Sequence, residues 1–229
     1  MALDSVNYIV APTINQNENI FYVNTLNEEV HSMHYGNMIA NISMGTNCFY
    51  KFNDKCYFVP TGINYYFYEI KGDKELSPII YLDFGMEKIE TKDLVGDIRY
   101  GEYNIKKPNF VNYFTEMNKR DDYLVSSNYY LPIMKFFNDN YVYVHAIKKR
   151  KPYNYIYNRK TKSTLVQYNG SPIPLKFCLG IDDNILYTYV NPFEIEKYCN
   201  TELLSSESKE RIANVQEEDN IIIVKYYLK

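Results

Sequence analysis

One pattern recurs along this chain of 229 residues and limits what it can fold into. A polar Asn/Asp/Glu turn is followed at once by a strand of aromatic and β-branched residues. Asn17-Glu18-Asn19 precedes Ile20-Phe21-Tyr22-Val23, and Asn53-Asp54-Lys55 precedes Cys56-Tyr57-Phe58-Val59. Asn138-Asp139-Asn140 precedes Tyr141-Val142-Tyr143-Val144, and Asp182-Asp183-Asn184 precedes Ile185-Leu186-Tyr187-Thr188-Tyr189. From Glu18 the marker Asp54 lies 36 residues on, Asp139 a further 85 and Asp183 a further 44. The middle gap spans two periods, so it holds a degenerate repeat or an insertion. A period of about 40 to 45 residues with four short strands per unit is what a β-propeller blade requires.

Composition agrees with an all-β chain. Tyr occurs 26 times, Phe 12 times, Asn 26 times and Trp never. Tyr and Phe suit a pleated, half-buried surface, Asn suits turns and left-handed backbone, and the best helix former, Ala, is scarce. The expected architecture is a β-propeller or partial propeller of about four four-stranded blades, forming one domain over residues 1–229. The blades are expected at 6–42, 44–84, 128–168, and 174–190 joined by 220–229, with insertions at 85–127 and 191–219. A TIM barrel or Rossmann fold would need a helix after each strand, and no such alternation is present. Three short helices are expected. Asn109–Asn118 places Phe110, Phe114 and Met117 at helical spacing. Asn191-Pro192-Phe193-Glu194 supplies a cap, an N1 proline and an N3 glutamate. Ser206–Val215 carries Ile212 and Val215 on its apolar side.

Charge and hydropathy exclude several classes. The net charge is −3, and Lys148-Lys149-Arg150-Lys151 is the one dense basic run. That is too little for phosphate neutralisation, so no nucleic-acid partner is expected. No apolar stretch approaches the roughly 18 residues of a membrane helix. Met1-Ala2-Leu3-Asp4-Ser5 has neither the basic nor the apolar region of a secretory signal, which fits a cytoplasmic protein or one whose leader is absent from this chain. At Asn53-Asp54 a two-residue turn would pair Lys51 with Cys56 and leave Cys48 out of register for a bridge. Cys48, Cys56, Cys178 and Cys199 are therefore expected as free, mostly buried thiols.

Motifs for chemistry are sparse. His31 and His34 stand three apart in an apparent strand and so face opposite sides, which disfavours a shared metal. His145 lies in an alternating strand as a core or surface residue. Asp121-Asp122, Asp182-Asp183 and Glu217-Glu218-Asp219 are adjacent acids of the kind that cap turns. No calcium loop, phosphate loop or nucleophile elbow is present, so no catalytic residue, metal or cofactor is assigned. The remaining candidates are tyrosines. In Asn64-Tyr65-Tyr66-Phe67-Tyr68, alternation sets Tyr66 and Tyr68 on one face, and Tyr153, Tyr155 and Tyr157 repeat the pattern in a later unit. Packing between blades accounts for both. The functional alternative is a ligand platform formed by Tyr66, Tyr68, Tyr153 and Tyr155, because exposed Tyr offers contact area at low entropic cost.

Several stretches resemble a known family. Tyr81-Leu82-Asp83-Phe84-Gly85 with Lys88-Ile89, Phe136-Phe137-Asn138-Asp139 leading into Tyr141-Val142-Tyr143, and the ending Glu217 to Lys229 are similar to the six-bladed β-propeller proteins of Bacteroides-type bacteria. The family's closing segment has Asn-Pro where this chain has Asn220-Ile221. The resemblance spans most of residues 44–229. Members are longer, so it implies a shortened member or a fragment corresponding to about the last four blades. Many members are predicted lipoproteins, which implies a periplasmic or cell-surface location. The family carries no catalytic residues to transfer. The expected function is a non-catalytic binding or scaffold module for a glycan, peptide or protein. The alternative is a propeller enzyme acting on carbohydrate or lactone-like substrates. Four blades leave open edges, through which a homo-oligomer could form.

Overall fold

A computed structural model describes residues 1–11, 19–36, 48–72, 74–93, 110–168, 170–172 and 174–229, with side chains of the helix starting at Phe110 described from Asn118 onward. The chain is mostly β, arranged in four antiparallel sheets, none of them closed. The first has the order β1-β2-β3, from Asn7–Val10, Asn19–Asn24 and Glu29–His34. The second is β4-β5-β6-β7, from Phe49–Phe52, Lys55–Phe58, Tyr66–Lys71 and Glu75–Tyr81. The third is β8-β9-β10-β11, from Leu131–Phe137, Tyr141–Lys148, Lys151–Asn158 and Ser163–Tyr168. The fourth is β12-β13-β14, from Gly180–Asp182, Ile185–Val190 and Ile222–Tyr227. Two sheets thus have four strands and two have three among the described residues.

The polar turns do local work. Asn53 and Asp54 both adopt left-handed backbone, with φ of 50° and 57°, and Lys51 pairs with Cys56 across the hairpin they close. This is the two-residue turn whose twist matches antiparallel strands, and Asn and Asp tolerate it best. The Asn138 and Asn158 side chains each accept two backbone N–H bonds inside their own turns, which explains the heavy use of Asn. Asn53-Asp54, Asn138-Asp139-Asn140 and Asp183-Asn184 each join the first two strands of their sheet, while residues 12–18 lie outside the described residues.

The helices are α1 (Phe110–Ser126), α2 (Ile195–Tyr198) and α3 (Ser206–Ala213). α1 runs eight residues beyond the expected end, so Asp121 and Asp122 sit on a helix rather than in a turn. They pair with Arg120 and Arg150 respectively. The basic run acquires a structural role here. Lys149 and Arg150 form the tight β9–β10 turn, both with positive φ, and their N–H groups donate to the carbonyls of Ser127 and Val125 at the end of α1. Cations and N–H donors at a helix C-terminus satisfy its orphan carbonyls and its dipole. Asn191 and Glu194 form the expected capping box, with Pro192 at the start of a 3-10 turn leading into α2.

The chain divides into two compact units, 1–134 with 147–150, and 135–146 with 151–229, and the division passes through β8 and β9. In the first unit one core joins Ile9, Ile20 and Met33 to Phe58 and Tyr68. A second gathers Ile63, Tyr65, Ile89, Leu124, Leu131 and Ile133. In the second unit Val190, Ile195 and Val224 pack with Ile212 of α3. Each such fully buried aliphatic side chain contributes about 1.5–3 kcal/mol.

Many tyrosines outside these cores share one arrangement: a lysine ammonium over the ring, itself paired with a glutamate. Lys74 lies over Tyr22 and pairs with Glu29, and Lys148 lies over Tyr130 and pairs with Glu87. Lys88 lies over Tyr81 and stands 3.7 Å from Glu90. In the second unit Lys176 lies over Tyr189 and Tyr198 and is 2.6 Å from Glu194. The cation occupies a ring face that would otherwise meet solvent or ligand.

Candidate functional site: a tyrosine face on β10 and β11

The four tyrosines singled out by alternation fall into two different environments. Tyr68 is 4% exposed, belongs to the first unit's core, and donates its hydroxyl to the Tyr35 carbonyl at 2.6 Å. Tyr66 is half-buried, with Tyr81 at 4.9 Å and Tyr68 at 6.1 Å between ring centroids. The register shift beside Phe67 and Tyr68 places its extra residue, Ile79, on β7, so β6 keeps its alternation and Tyr66 packs beside Tyr68 against the same core. Lys88 covers a face of Tyr81, so this group of rings is occupied from within the chain.

Tyr153 and Tyr155 lie in the second unit, on β10. With Tyr157 they form a row of half-buried rings on one side of the strand, spaced about 7 Å apart as alternate strand residues must be. The β10–β11 register sets Tyr153 opposite Tyr168, Tyr155 opposite Val166 and Tyr157 opposite Thr164. Tyr168 is 51% exposed and Val166 43%, and the Tyr153 and Tyr168 rings lie 6.2 Å apart. Two strands therefore present three cross-strand rows carrying four tyrosines on one face. Val166 and Tyr168 were absent from the candidates drawn from sequence. The signal for them was available: a four-residue turn between Asn158 and Ser163 determines which β11 residues face Tyr153, Tyr155 and Tyr157.

The opposite side of β10 holds this face in place. Asn154 and Ile156 are 2% and 4% exposed. The Asn154 amide nitrogen donates to the Leu175 carbonyl at 2.7 Å. Its carbonyl oxygen accepts from the Tyr143 hydroxyl at 2.7 Å and contacts His145 Nδ1 at 2.8 Å. That oxygen can only accept, so the proton of neutral His145 sits on Nδ1. The Tyr143 hydroxyl in turn accepts from the Cys178 N–H at 2.9 Å. The network ties β9, β10 and the 175–178 segment into one buried set, in which every polar group of Asn154 has a partner.

Burial governs the chemistry of these groups. It holds the His145 imidazole below its usual pKa, against a smaller opposing effect of the Asn154 bond. It pushes the Cys178 thiol up to about 12, which makes it a poor nucleophile at neutral pH. The four cysteines are free; Cys178 is buried and the other three are half-buried. The His145 shift has a consequence for stability. The unfolded chain takes up the His145 proton near pH 6.5, before the folded chain does, so folding stability falls as pH drops below that value. The melting temperature should decline more steeply below pH 6.5 in wild type than in His145→Asn, which keeps a donor near Asn154 and cannot titrate. Equal slopes would contradict this reading.

His31 and His34 are both exposed on β3. Asp182 is the exposed last residue of β12 and Asp183 lies in the turn after it, where its carboxylate accepts from Asn140 and its carbonyl from Asn138. Among the described residues no helix is long and apolar enough to cross a membrane.

No family model matches the chain, and no curated protein matches it. It is similar in structure to a protein of Bacteroides fragilis described as "Putative exported protein", with a TM-score of 0.60 at 15% identity. The match covers 93% of this chain and 59% of that protein, so the chain spans about three-fifths of its structural neighbour's length. At that identity the likeness concerns the fold alone.

Proposed function

We propose that the chain is a non-catalytic binding module of the β-propeller type, that its four sheets are blades, and that the Tyr153, Tyr155, Tyr157 and Tyr168 face receives a glycan or peptide. The observation carrying this reading is the contrast between the two sides of β10: a closed hydrogen-bonded network behind, and in front alternate half-buried tyrosines set against the exposed Val166 and Tyr168 of β11. Rigid aromatic side chains on a rigid strand give contact area at small entropic cost. An extracytoplasmic location is supported by the resemblance to Bacteroides-type propeller proteins and by the structural neighbour's description as an exported protein.

The test is a thermal-shift screen of the purified chain against oligosaccharides and unstructured peptides. A ligand at 100 times its dissociation constant adds about 2.7 kcal/mol of stability, a shift of several degrees. Such a shift, with the ligand recovered unchanged, is the expected result. Turnover of a sugar or lactone would replace this reading with the enzymatic one, and a flat response to both ligand classes would overturn it.

A further inference from the structure

We propose that β14 is a dimerisation edge, pairing antiparallel with the β14 of a second copy of this chain about a two-fold axis at Val224. β14 stands last in its sheet, in the order β12-β13-β14, so one of its sides has no neighbouring strand. The Leu228 N–H donates to the Asn184 carbonyl, which fixes the alternation along the ladder. Tyr226, Val224 and Ile222 turn their main-chain groups toward β13, and Tyr227, Lys225 and Ile223 turn theirs away. The outward N–H and C=O groups of these three residues have no hydrogen-bond partner among the described residues. Such a row is a template for another strand.

Three other edges are closed or interrupted by the chain itself. At β11 the Tyr168 N–H donates to Ser171 Oγ at 3.1 Å, and the Ser171 N–H donates to the Tyr168 carbonyl at 2.9 Å. At β1, Ile9 exchanges bonds with Met1. β7 carries Pro78 at its register shift. β14 has six residues without proline or glycine, and its ladder with β13 is uninterrupted. Its one charge is Lys225, whose ammonium lies 5.7 Å from the Tyr187 ring centroid, over its own sheet rather than beyond the edge. A strand of Ile, Val and Tyr favours pairing.

The strand is complementary to itself, which selects a second copy as its partner. An axis at Val224 sets Ile223 against Lys225 and Ile221 against Tyr227, twice each, with no like charges opposed. An axis at Lys225 would oppose two ammonium groups. Ile221, Ile223 and Tyr227 are 57%, 57% and 66% exposed, and each gains a cross-strand neighbour, Ile223 packing on the aliphatic stem of Lys225. The flanks match in charge as well. The acidic run Glu217-Glu218-Asp219 precedes the strand and Lys229 follows it, so antiparallel pairing sets Asp219 of each copy level with Lys229 of the other. β14 belongs to a different sheet from the tyrosine face, so this inference goes beyond the proposed function, and the mass of the protein reports on pairing whether or not a ligand binds.

Light scattering during size-exclusion chromatography gives the first test. The expected result is a doubling of the 27.2 kDa monomer mass at about 100 μM, where a small interface is still populated. Ile223→Pro is the discriminating variant. The Ile223 N–H points outward, so proline spares the ladder with β13 while it removes a donor from the edge and places its ring there. It should weaken the dimer at least tenfold, whereas Leu203→Lys, exposed elsewhere in the same unit, should leave the mass unchanged. A cross-link gives an independent readout that does not require disruption. Cα atoms directly opposite in an antiparallel pair lie within disulfide range, so mild oxidation of the Ile223→Cys/Lys225→Cys variant should yield a covalent dimer. Wild type and Leu203→Cys should not form one. A wild-type monomer at that concentration, a dimer indifferent to Ile223→Pro, one lost in Leu203→Lys, or a double-cysteine variant that stays uncrosslinked would each overturn the assignment.

Discussion

Replacing Asn154 by leucine is expected to lower the melting temperature by about 10 °C, from a loss of about 3–5 kcal/mol. The substitution nearly conserves volume but leaves the Tyr143 hydroxyl, His145 Nδ1 and the Leu175 carbonyl without the partners they have at 2.7, 2.8 and 2.7 Å. Each orphaned buried group costs about 1–3 kcal/mol, and they cannot all relax, because they belong to β9 and to the 175–178 segment. Against a typical total of 5–15 kcal/mol, this is a large share. Thermal melts followed by near-ultraviolet dichroism would measure it. A change within 2 °C would show that the network is not what anchors β10.

The second large effect concerns Lys135. It lies on β8, all seven residues of which are buried, and it is itself 3% exposed. Burial pushes its ammonium pKa down to about 7. In the unfolded chain lysine titrates near 10.4, so between pH 7 and pH 10 the unfolded state holds the more protons and stability rises with pH. Lys135 should therefore contribute a gain of about 2 kcal/mol between pH 7 and pH 9, opposed by Cys48, Cys178 and Cys199, whose thiol pKa burial raises, so the gain is read as the difference between wild type and a Lys135 variant. The stability of Lys135→Met should lack that contribution, so its slope against pH should lie below that of wild type by about 2 kcal/mol across the window. The window stops at pH 9 because burial raises the hydroxyl pKa of Tyr50, Tyr65, Tyr143 and Tyr226, whose ionisation in the unfolded chain favours unfolding at higher pH. Denaturant melts at pH 7, 8 and 9 measure the slope. Equal slopes in the two proteins would remove Lys135 as its source.

The strands were legible because their determinants are local. Asn53-Asp54 predicts its own hairpin and the pairing of Lys51 with Cys56, since few residues accept left-handed backbone. Asn191-Pro192 and Glu194 likewise announce a helical start through short-range bonds. What escaped depends on contacts distant in sequence. Nothing near Asn154 indicates that its amide meets Leu175 and Tyr143, so an Asn between two tyrosines reads as a turn former rather than as the centre of a buried network. The Lys148–Arg150 run reads as surface charge until the end of α1 is brought against it. Tyr66 and Tyr68 share a face by simple counting and their rings lie 6.1 Å apart, but that this face packs into a core with Ile9, Ile20 and Met33 depends on residues distant in sequence. Tyr153 and Tyr155 lie on an uninterrupted ladder, where counting suffices.

The most direct test of the central claim, that the β10–β11 tyrosines form the ligand face, is a calorimetric titration. A ligand found by thermal shift would be titrated into wild type and into the Tyr153→Ala/Tyr155→Ala variant. Losing two aromatic contacts should weaken binding by at least about tenfold, near 1.4 kcal/mol, while the variant remains folded by dichroism. Unchanged affinity in a folded variant would contradict the account and move the ligand to another surface.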